Sequence, residues 1–454
     1  MMLAHGIGER GDLPLPLFLF VWAMILALVI SFVALGVLWT EPRLAQAAKG
    51  RKLADYNTTL VLHWLGRFVA FGLYLVCLYA AFFGLDARDR NIVPVTFYVV
   101  VWVGAQLIGG LVGDVWGAIN PIATLARLAE GASRFVGRVP GNGPTSWGHW
   151  PAALGVLIFL FYELSHPSGA DPRTLGWLLG AHAVITIVFG FAWGSRWVVE
   201  HEPFTVFFAK LSAMAPITAR PAAQFSSAGA AVGTGAYAGP GADDRGLRLR
   251  SPMSGLATME VRPGTVMLIL IAVGGTSFDG FSESEFGREL FGDLFGWPLA
   301  WAELGGLIAS ISLVTLLYLI GVWWTTNVTD ISFERAWREF APSLIPITFG
   351  YAIAHYFQLF SDEGQSFIFR LSDPFGQGWD LFGGADGLIW RIDPGIVSWI
   401  QVAAILFGHI GAVMVAHDRA IEIFPVGKSL QSQFAMLFVM VAYSALGLAL
   451  LLTA

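Results

Sequence analysis

Five ionisable residues lie within long apolar runs of the sequence or at their edges: Glu163, His166, Asp279, His355 and His409. An ionisable side chain is costly inside hydrocarbon, so residues of this kind usually line a cavity, an ion pathway or a site. Imidazole and carboxylate groups can bind Zn, Fe, Mn or Cu, and a bound metal can activate water for attack on a carbonyl or phosphoryl centre. We therefore predict His166, His355 and His409 as ligands of a divalent transition metal, with Glu163 and Asp279 as catalytic groups that could also bind it.

Each of these residues also has a structural interpretation, because hydrogen bonds between helices commonly satisfy polar groups in membrane bundles. Glu163 and His166 share a helical face only if the helix continues to Pro167. His409 could extend a proton or metal path from His355, or it could form a structural hydrogen bond. The connection Ser372–Gly384 adds Asp373 and Asp380 in an aromatic, Gly-rich stretch.

Other polar residues have simpler explanations. Arg67 is expected to reach the membrane interface with its long side chain, and His417 is expected at a solvated boundary. Asn120, Asp171 and Asp393 each precede a proline, which is how a capping side chain begins a helix.

The composition is that of an integral membrane protein. Hydrophobic residues make up 56% of the chain and charged residues 13%, and the mean hydropathy is +0.66. Runs of the length needed to cross hydrocarbon predict an all-α, polytopic bundle of about ten spans. These spans are Leu15–Trp39, Leu60–Gly84, Ile92–Gly113, Trp150–Leu164, Leu175–Trp193, Gly264–Gly280, Leu299–Trp323, Ser343–Phe360, Gly395–Val415 and Gln433–Leu452.

The distribution of Lys and Arg predicts the orientation. The odd-numbered connections carry 18 of these residues, whereas the N-terminal tail and the even-numbered connections carry 7. Because an excess marks the cytoplasmic side, both termini are predicted outside. The start of the chain leaves no room for an apolar signal core, so no cleavable signal peptide is expected.

The segment Arg220–Gly264 is rich in Ala, Gly and Ser and is predicted to be a disordered cytoplasmic linker. It divides the chain into halves of five spans, 1–219 and 265–454, between which no convincing repeat is evident. Short interfacial helices are predicted after Asn120, with Ile122, Leu125, Leu128 and Phe135 on its apolar face, and at Pro203–Met214.

Several classes of function lack their signals. The sequence has no P-loop, no HExxH, no G-x-S-x-G and no dinucleotide fingerprint, which argues against ATP-driven and nicotinamide chemistry. No basic run suggests nucleic acid. Cys77 is the only cysteine, which excludes an intramolecular disulfide and a multi-cysteine metal site.

The chain resembles a family of polytopic membrane proteins, frequent in actinobacteria, that are labelled fenitrothion hydrolase. The likeness covers most of the chain apart from the linker. It rests on the following segments: Leu13–Pro16, GDVWGAINP (Gly113–Pro121), DPRTLG (Asp171–Gly176), SFDGF (Ser277–Phe281), FAPSLIPITFGYAIAHYFQLF (Phe340–Phe360), SDPFGQGWDLFG (Ser372–Gly383) and GHIGAVMVAHDRA (Gly408–Ala420).

The resemblance implies a bacterial cytoplasmic membrane protein that hydrolyses an organophosphorus triester, with water displacing a nitrophenolate. It carries over no catalytic residue. Our first hypothesis is a metal-assisted hydrolase whose apolar substrate enters from the lipid. Two alternatives remain open: a transporter or metal-handling protein that uses the same groups as a binding site or proton relay, and a non-catalytic subunit of a membrane complex with unknown protein partners.

Overall fold

The computed structural model describes residues 17–219, 246–384 and 387–453, and the chain there is mainly α-helical, which confirms the predicted all-α class. Each of the ten predicted spans coincides with one helix or one continuous helical segment. The helices are, in chain order, α1 (Leu17–Leu38), α2 (Leu44–Ala47), α3 (Tyr56–Phe83), α4 (Ile92–Pro94), α5 (Ala105–Leu111), α6 (Val115–Ile119), α7 (Pro121–Phe135), α8 (Trp150–Leu164), α9 (Pro172–Trp193), α10 (Ser195–His201), α11 (Pro203–Leu211), α12 (Thr265–Glu283), α13 (Glu285–Phe291), α14 (Gly296–Val328), α15 (Phe333–Glu339), α16 (Leu344–Ser372), α17 (Pro394–Ile423) and α18 (Val426–Thr453).

Six helical segments are long and apolar enough to cross a membrane. They are Val61–Phe83, Ile92–Leu111, Pro172–Trp193, Thr265–Glu283, Gly296–Val328 and Pro394–Ile423. Shorter apolar helices occur in the described residues at Trp22–Leu38 and Trp150–Leu164. Large apolar side chains such as Val61, Leu62 and Phe68 point outward from the bundle, as expected for contact with lipid rather than water. The chain is therefore a multi-span membrane protein by helix length, hydropathy and surface.

All three predicted capping residues stand at the N-cap position of a helix, and two of them make the capping hydrogen bond. Asn120 Oδ1 accepts hydrogen bonds from the amides of Ile122 and Ala123, and Asp393 Oδ1 accepts from Gly395 and Ile396. Asp171 begins α9 as predicted, with Pro172 in the first turn, but its carboxylate makes no capping bond and instead pairs with Arg88 Nε at 2.6 Å.

The two helices predicted to be interfacial differ. In α7 the small residues Ala126 and Ala129 are buried, whereas Leu128 and Phe135 of the predicted apolar face are exposed. The side of α7 that packs against the protein therefore coincides only in part with the predicted apolar face. The prediction for α11 is wrong. Its side chains Phe207 and Phe208 are each 1% exposed and belong to the protein core, because α11 packs against α5 and α8.

A small antiparallel sheet joins the N-terminal half to the part of the predicted linker that the structure describes. Its strands are β1 (Arg51–Asp55), β2 (Ile217–Thr218) and β3 (Gly246–Leu249), in the order β1–β3–β2. After β3, Arg250 is buried and donates to the carbonyl oxygens of Ser212, Ala213 and Ala215. Residues 246–264 therefore differ from the predicted disordered linker, since strand pairing and this buried guanidinium hold them to the bundle. Residues 220–245 lie outside the described part.

The centre of the bundle is α12, which packs against α8, α14 and α16 and buries most of its residues. Beside α16 runs a ten-residue π-helical segment, Val95–Gly104, between α4 and α5. In α5, which continues this segment, Gly110 lies so close to the Phe349 ring of α16 that a Cβ would be 2.3 Å from it, so α5 and α16 approach closely. Segments of π-helix are rare and frequently occur at functional sites.

Candidate functional site

Asp279 and His355 form a buried pair between α12 and α16. Nε2 of His355 lies 2.7 Å from Asp279 Oδ2, and the Tyr356 hydroxyl donates to the same oxygen at 3.0 Å. The three residues are 4%, 4% and 2% exposed. A carboxylate that accepts from an imidazole fixes the ring orientation and places the second ring nitrogen for proton exchange.

The second nitrogen of His355, Nδ1, is buried and has no hydrogen-bond partner in the described residues. Gly280 leaves space next to it, because a Cβ there would lie 4.0 Å from Nδ1 and 3.4 Å from the Tyr351 hydroxyl. If Asp279 is ionised, Nε2 carries the proton and Nδ1 presents a lone pair. The side chain of His355 can therefore accept a proton on one nitrogen and release one from the other.

Glu163, near the end of α8, brings a second carboxyl group to the same region. It interacts electrostatically with Asp279 and with Tyr356, and its Oε2 atom is buried without a partner in the described part of the chain. The structure thus brings together three sequence-selected residues, Glu163, Asp279 and His355. We call these three residues with Tyr356 the central cluster.

Two further unpartnered polar atoms lie on the elements around the central cluster. Trp102 Nε1, on the π-helical segment, is near the Tyr356 hydroxyl without forming a well-aligned hydrogen bond. Gln358 Oε1 is buried one turn beyond His355 and has no partner among the described residues. Buried polar groups are nearly always hydrogen-bonded, so a concentration of exceptions indicates a place for internal water, a ligand or a moving proton.

His166 does not join the central cluster. The helix α8 ends at Leu164, before Pro167, so the condition for a face shared with Glu163 is not met. His166 Nδ1 accepts a hydrogen bond from the Ser168 amide at 3.1 Å, and its ring stacks on Tyr162 with centroids 4.9 Å apart. Partial burial lowers the pKa of His166 below its usual 6.5, and Asp171 opposes that shift.

His409 is 2% exposed on α17, and its Nδ1 lies 2.8 Å from the Ile405 carbonyl oxygen one turn earlier. This is the structural hydrogen bond that was one of the two alternatives for His409. Its Nε2 has no partner in the described residues. Within residues 17–219, 246–384 and 387–453, no group of three or more His, Cys, Asp or Glu side chains could hold a metal ion. His166, His355 and His409 therefore do not come together as a metal-ligand group in this part of the chain.

The remaining polar residues have structural roles. Arg67 is buried and donates to the carbonyl oxygens of Ala118 and Gly117. Asp373 accepts from the amides of Gln377 and Gly378 and shapes the turn that they form. The predicted solvated position of His417 is wrong: it is 1% exposed and lies 3.0 Å from the Trp39 carbonyl oxygen.

Two residues important to the site were missed in the sequence. Tyr356 directly follows His355, and its phenol could have been selected as a polar group in the same apolar run. Glu303 is 7% exposed within α14, inside the predicted span Leu299–Trp323. The rule that selected Asp279 applies equally to Glu303.

Two cavities lie away from the central cluster. One of about 210 Å³ is largely apolar and includes Tyr74, Cys77, Thr96 and His182 in its lining. The other, of about 530 Å³, is lined by charged residues including Arg338, Glu339 and Arg419. Neither is lined by Asp279 or His355, so neither supplies a substrate chamber at the central cluster.

Comparisons with protein-family models, with curated proteins and with solved structures found no match to this chain.

Proposed function

We propose that this chain is a proton-exchanging membrane protein, in which the central cluster takes up and releases a proton as part of proton transport or proton-coupled solute transport. The observation that supports this proposal most strongly is the buried hydrogen bond between Asp279 and His355. Nδ1 of His355 has no hydrogen-bond partner in the described residues. Ionisable groups buried among membrane helices commonly serve as proton relays.

One proton transfer through the central cluster needs no other reactant. Nδ1 of His355 accepts a proton while Nε2 donates its own proton to Asp279 Oδ2, so the imidazole stays neutral and the carboxylate becomes a carboxylic acid. Tyr356 holds the accepting oxygen in place through its hydroxyl. Glu163 is the second proton carrier, because Coulomb repulsion between two buried carboxylates favours keeping one proton between them.

We further propose that the chain adopts the full membrane arrangement predicted from its sequence. That arrangement has about ten spans in a bacterial cytoplasmic membrane and both termini outside, so that the C-terminal end of α12 lies toward the outer surface. Asp279, four residues before the end of that helix, is then in the outer half of the membrane.

A pH jump on proteoliposomes adsorbed to a solid-supported membrane tests the proposal without knowledge of a solute. We expect the wild type to give a transient charge displacement, and we expect Asp279→Asn and His355→Gln to abolish it. Glu334→Gln is the matched control, because Glu334 is in α15 at the charged cavity, away from the central cluster. A wild-type signal equal to that of empty liposomes, or equal signals in all variants, would refute proton exchange.

The second candidate is a hydrolase of apolar organophosphorus triesters, as the resemblance implies. The specific observation that favours it is again the Asp279–His355 pair, since a carboxylate-oriented imidazole can act as a general base. His355 Nδ1 would take a proton from water as the water oxygen bonds to phosphorus and the P–O bond to nitrophenolate breaks.

Turnover of a chromogenic nitrophenyl triester by the purified chain in detergent separates the two candidates. Hydrolysis that is lost in His355→Gln and retained in Glu334→Gln would favour the hydrolase. Absence of turnover in a folded wild type that gives the charge displacement would leave proton exchange as the function.

A further inference from the structure

The register between α12 and α14 determines which of their residues lie at the same depth. A Cβ on Gly306 would be 2.4 Å from the Phe278 ring, and one on Gly274 would be 2.6 Å from the Ile311 Cα. As the residue number rises along one helix it falls along the other, so the two helices are antiparallel. The end of α12, at Glu283, is consequently level with the region of α14 just before Gly306.

Glu303 lies in that region of α14 and is buried, at 7% exposure. It interacts electrostatically with Glu283, as the register requires. Glu283 in turn interacts with His355 and follows Asp279 by four residues on α12, which is about one turn or 6 Å along the axis. The carboxyl groups of Asp279, Glu283 and Glu303 therefore form a series that leads from the central cluster to the end of α12.

The end of this series at Glu303 is near the surface of the bundle. α14 begins at Gly296, two turns before Glu303, and Trp297 and Trp301 in that stretch are 52% and 61% exposed. Exposed tryptophans at the end of a span are typical of the membrane–water interface. The charged groups of α13 at this end are Glu285, Arg288 and Glu289.

We infer that Glu283 and Glu303 form the proton entrance of the central cluster, carrying protons between the aqueous surface at the α12–α14 end and the Asp279–His355 pair. This inference rests on the proposed function. Each carboxyl group accepts a proton on one oxygen and releases it to the next acceptor, so no oxidant or co-reactant is required. Burial of Glu303 beside α12 keeps the path separate from lipid.

The rate of the pH-jump charge displacement tests the entrance. Glu303→Gln removes an exchangeable proton at nearly constant shape, and we expect it to slow the displacement by at least about tenfold, as for loss of an acid–base group, with little change in total charge. Glu303→Asp should restore much of the rate. Glu283→Gln should slow the displacement in the same way, and Glu334→Gln should match the wild type.

The outcomes separate the two proposals. A wild type with no displacement refutes proton exchange itself. A wild type with normal displacement, together with folded Glu303→Gln and Glu283→Gln variants that keep its rate, refutes the entrance and leaves the central cluster intact. Slowing in both Gln variants with recovery in Glu303→Asp supports the entrance.

Discussion

Nε2 of His355 lies 2.7 Å from Oδ2 of Asp279, and this contact joins α16 to α12 through two residues that are 76 positions apart in the chain. The same carboxylate oxygen accepts the hydroxyl of Tyr356. Removal of one partner in a buried polar network leaves the others unsatisfied, which costs more than the bond itself contributes. The cluster is therefore expected to contribute to stability as well as to proton exchange.

Tyr356→Phe removes one hydrogen bond to Asp279 and keeps the aromatic ring. We expect the free energy of unfolding in detergent to fall by about 1 kcal/mol, the range for single hydrogen bonds between membrane helices. Asp279→Ala should cost more because it leaves both His355 and Tyr356 without their acceptor. Tyr79→Phe is the control, since Tyr79 is exposed; equal losses in the two phenylalanine variants would contradict the assigned bond.

Substitution by alanine is expected to change stability differently at two adjacent glycines of α14. Gly306→Ala places a Cβ 2.4 Å from the Phe278 ring, whereas Gly305→Ala meets no atom within 4 Å. We expect Gly306→Ala to destabilise by about 1–3 kcal/mol through overpacking and Gly305→Ala to be neutral or slightly stabilising. Thermal unfolding of the two variants checks this, and similar midpoints would contradict the close approach of α12 and α14.

His149 predicts a pH dependence of stability. Its Nδ1 lies 2.7 Å from Thr265 Oγ1, which ties the start of α8 to the start of α12. Burial, assisted by the nearby charges of Lys210 and Arg262, lowers the pKa of His149 from 6.5 to about 2. Below about pH 6.5 the unfolded chain binds a proton that the folded chain does not, so stability is complete above that pH and is lost as pH falls.

The expected loss from His149 alone is about 2 kcal/mol between pH 7 and pH 5. His149→Gln should remove that part of the decline. The measurement is the free energy of unfolding of wild type and variant across this range. A variant whose stability falls as steeply as that of the wild type would show that His149 is not held neutral.

The predicted orientation can be tested with single cysteines because the chain has only one, Cys77, which is buried. In a Cys77→Ala background, Asn142→Cys and Gln377→Cys place a thiol at exposed positions in two loops. A membrane-impermeant maleimide applied to intact cells should label position 377 and not position 142. Labelling of position 142 and not of position 377 would show that the orientation is the opposite of the predicted one.

Much of the helical framework was predictable from the sequence, because runs of apolar residues long enough to cross hydrocarbon are a strong and local signal. The β1–β3–β2 sheet was not, since it pairs Arg51–Asp55 with residues near 217 and 246 that no short-range pattern connects. The burial of α11 was missed for a related reason. Its apolar face looks the same whether it packs against lipid or against the aromatic core around Trp102.

The candidate site was predictable in part. Asp279, His355 and Glu163 stand out because ionisable groups are rare in apolar helices, and the structure brings them together. His166 was misplaced because the sequence does not specify whether the last turn of α8 continues past Leu164. His409 was selected by the same rule, but a carbonyl oxygen one turn earlier satisfies its Nδ1, a local bond that the residue type does not reveal.

Infrared difference spectroscopy between two pH values tests the central claim most directly, because it detects protonation of individual carboxyl and imidazole groups. The purified chain, with ring-labelled histidine and reconstituted in lipid, would be compared with Asp279→Asn and with Glu334→Gln. We predict paired carboxyl and imidazole bands in the wild type and in Glu334→Gln, and their joint loss in Asp279→Asn. Identical spectra in the wild type and Asp279→Asn would contradict proton exchange at the Asp279–His355 pair.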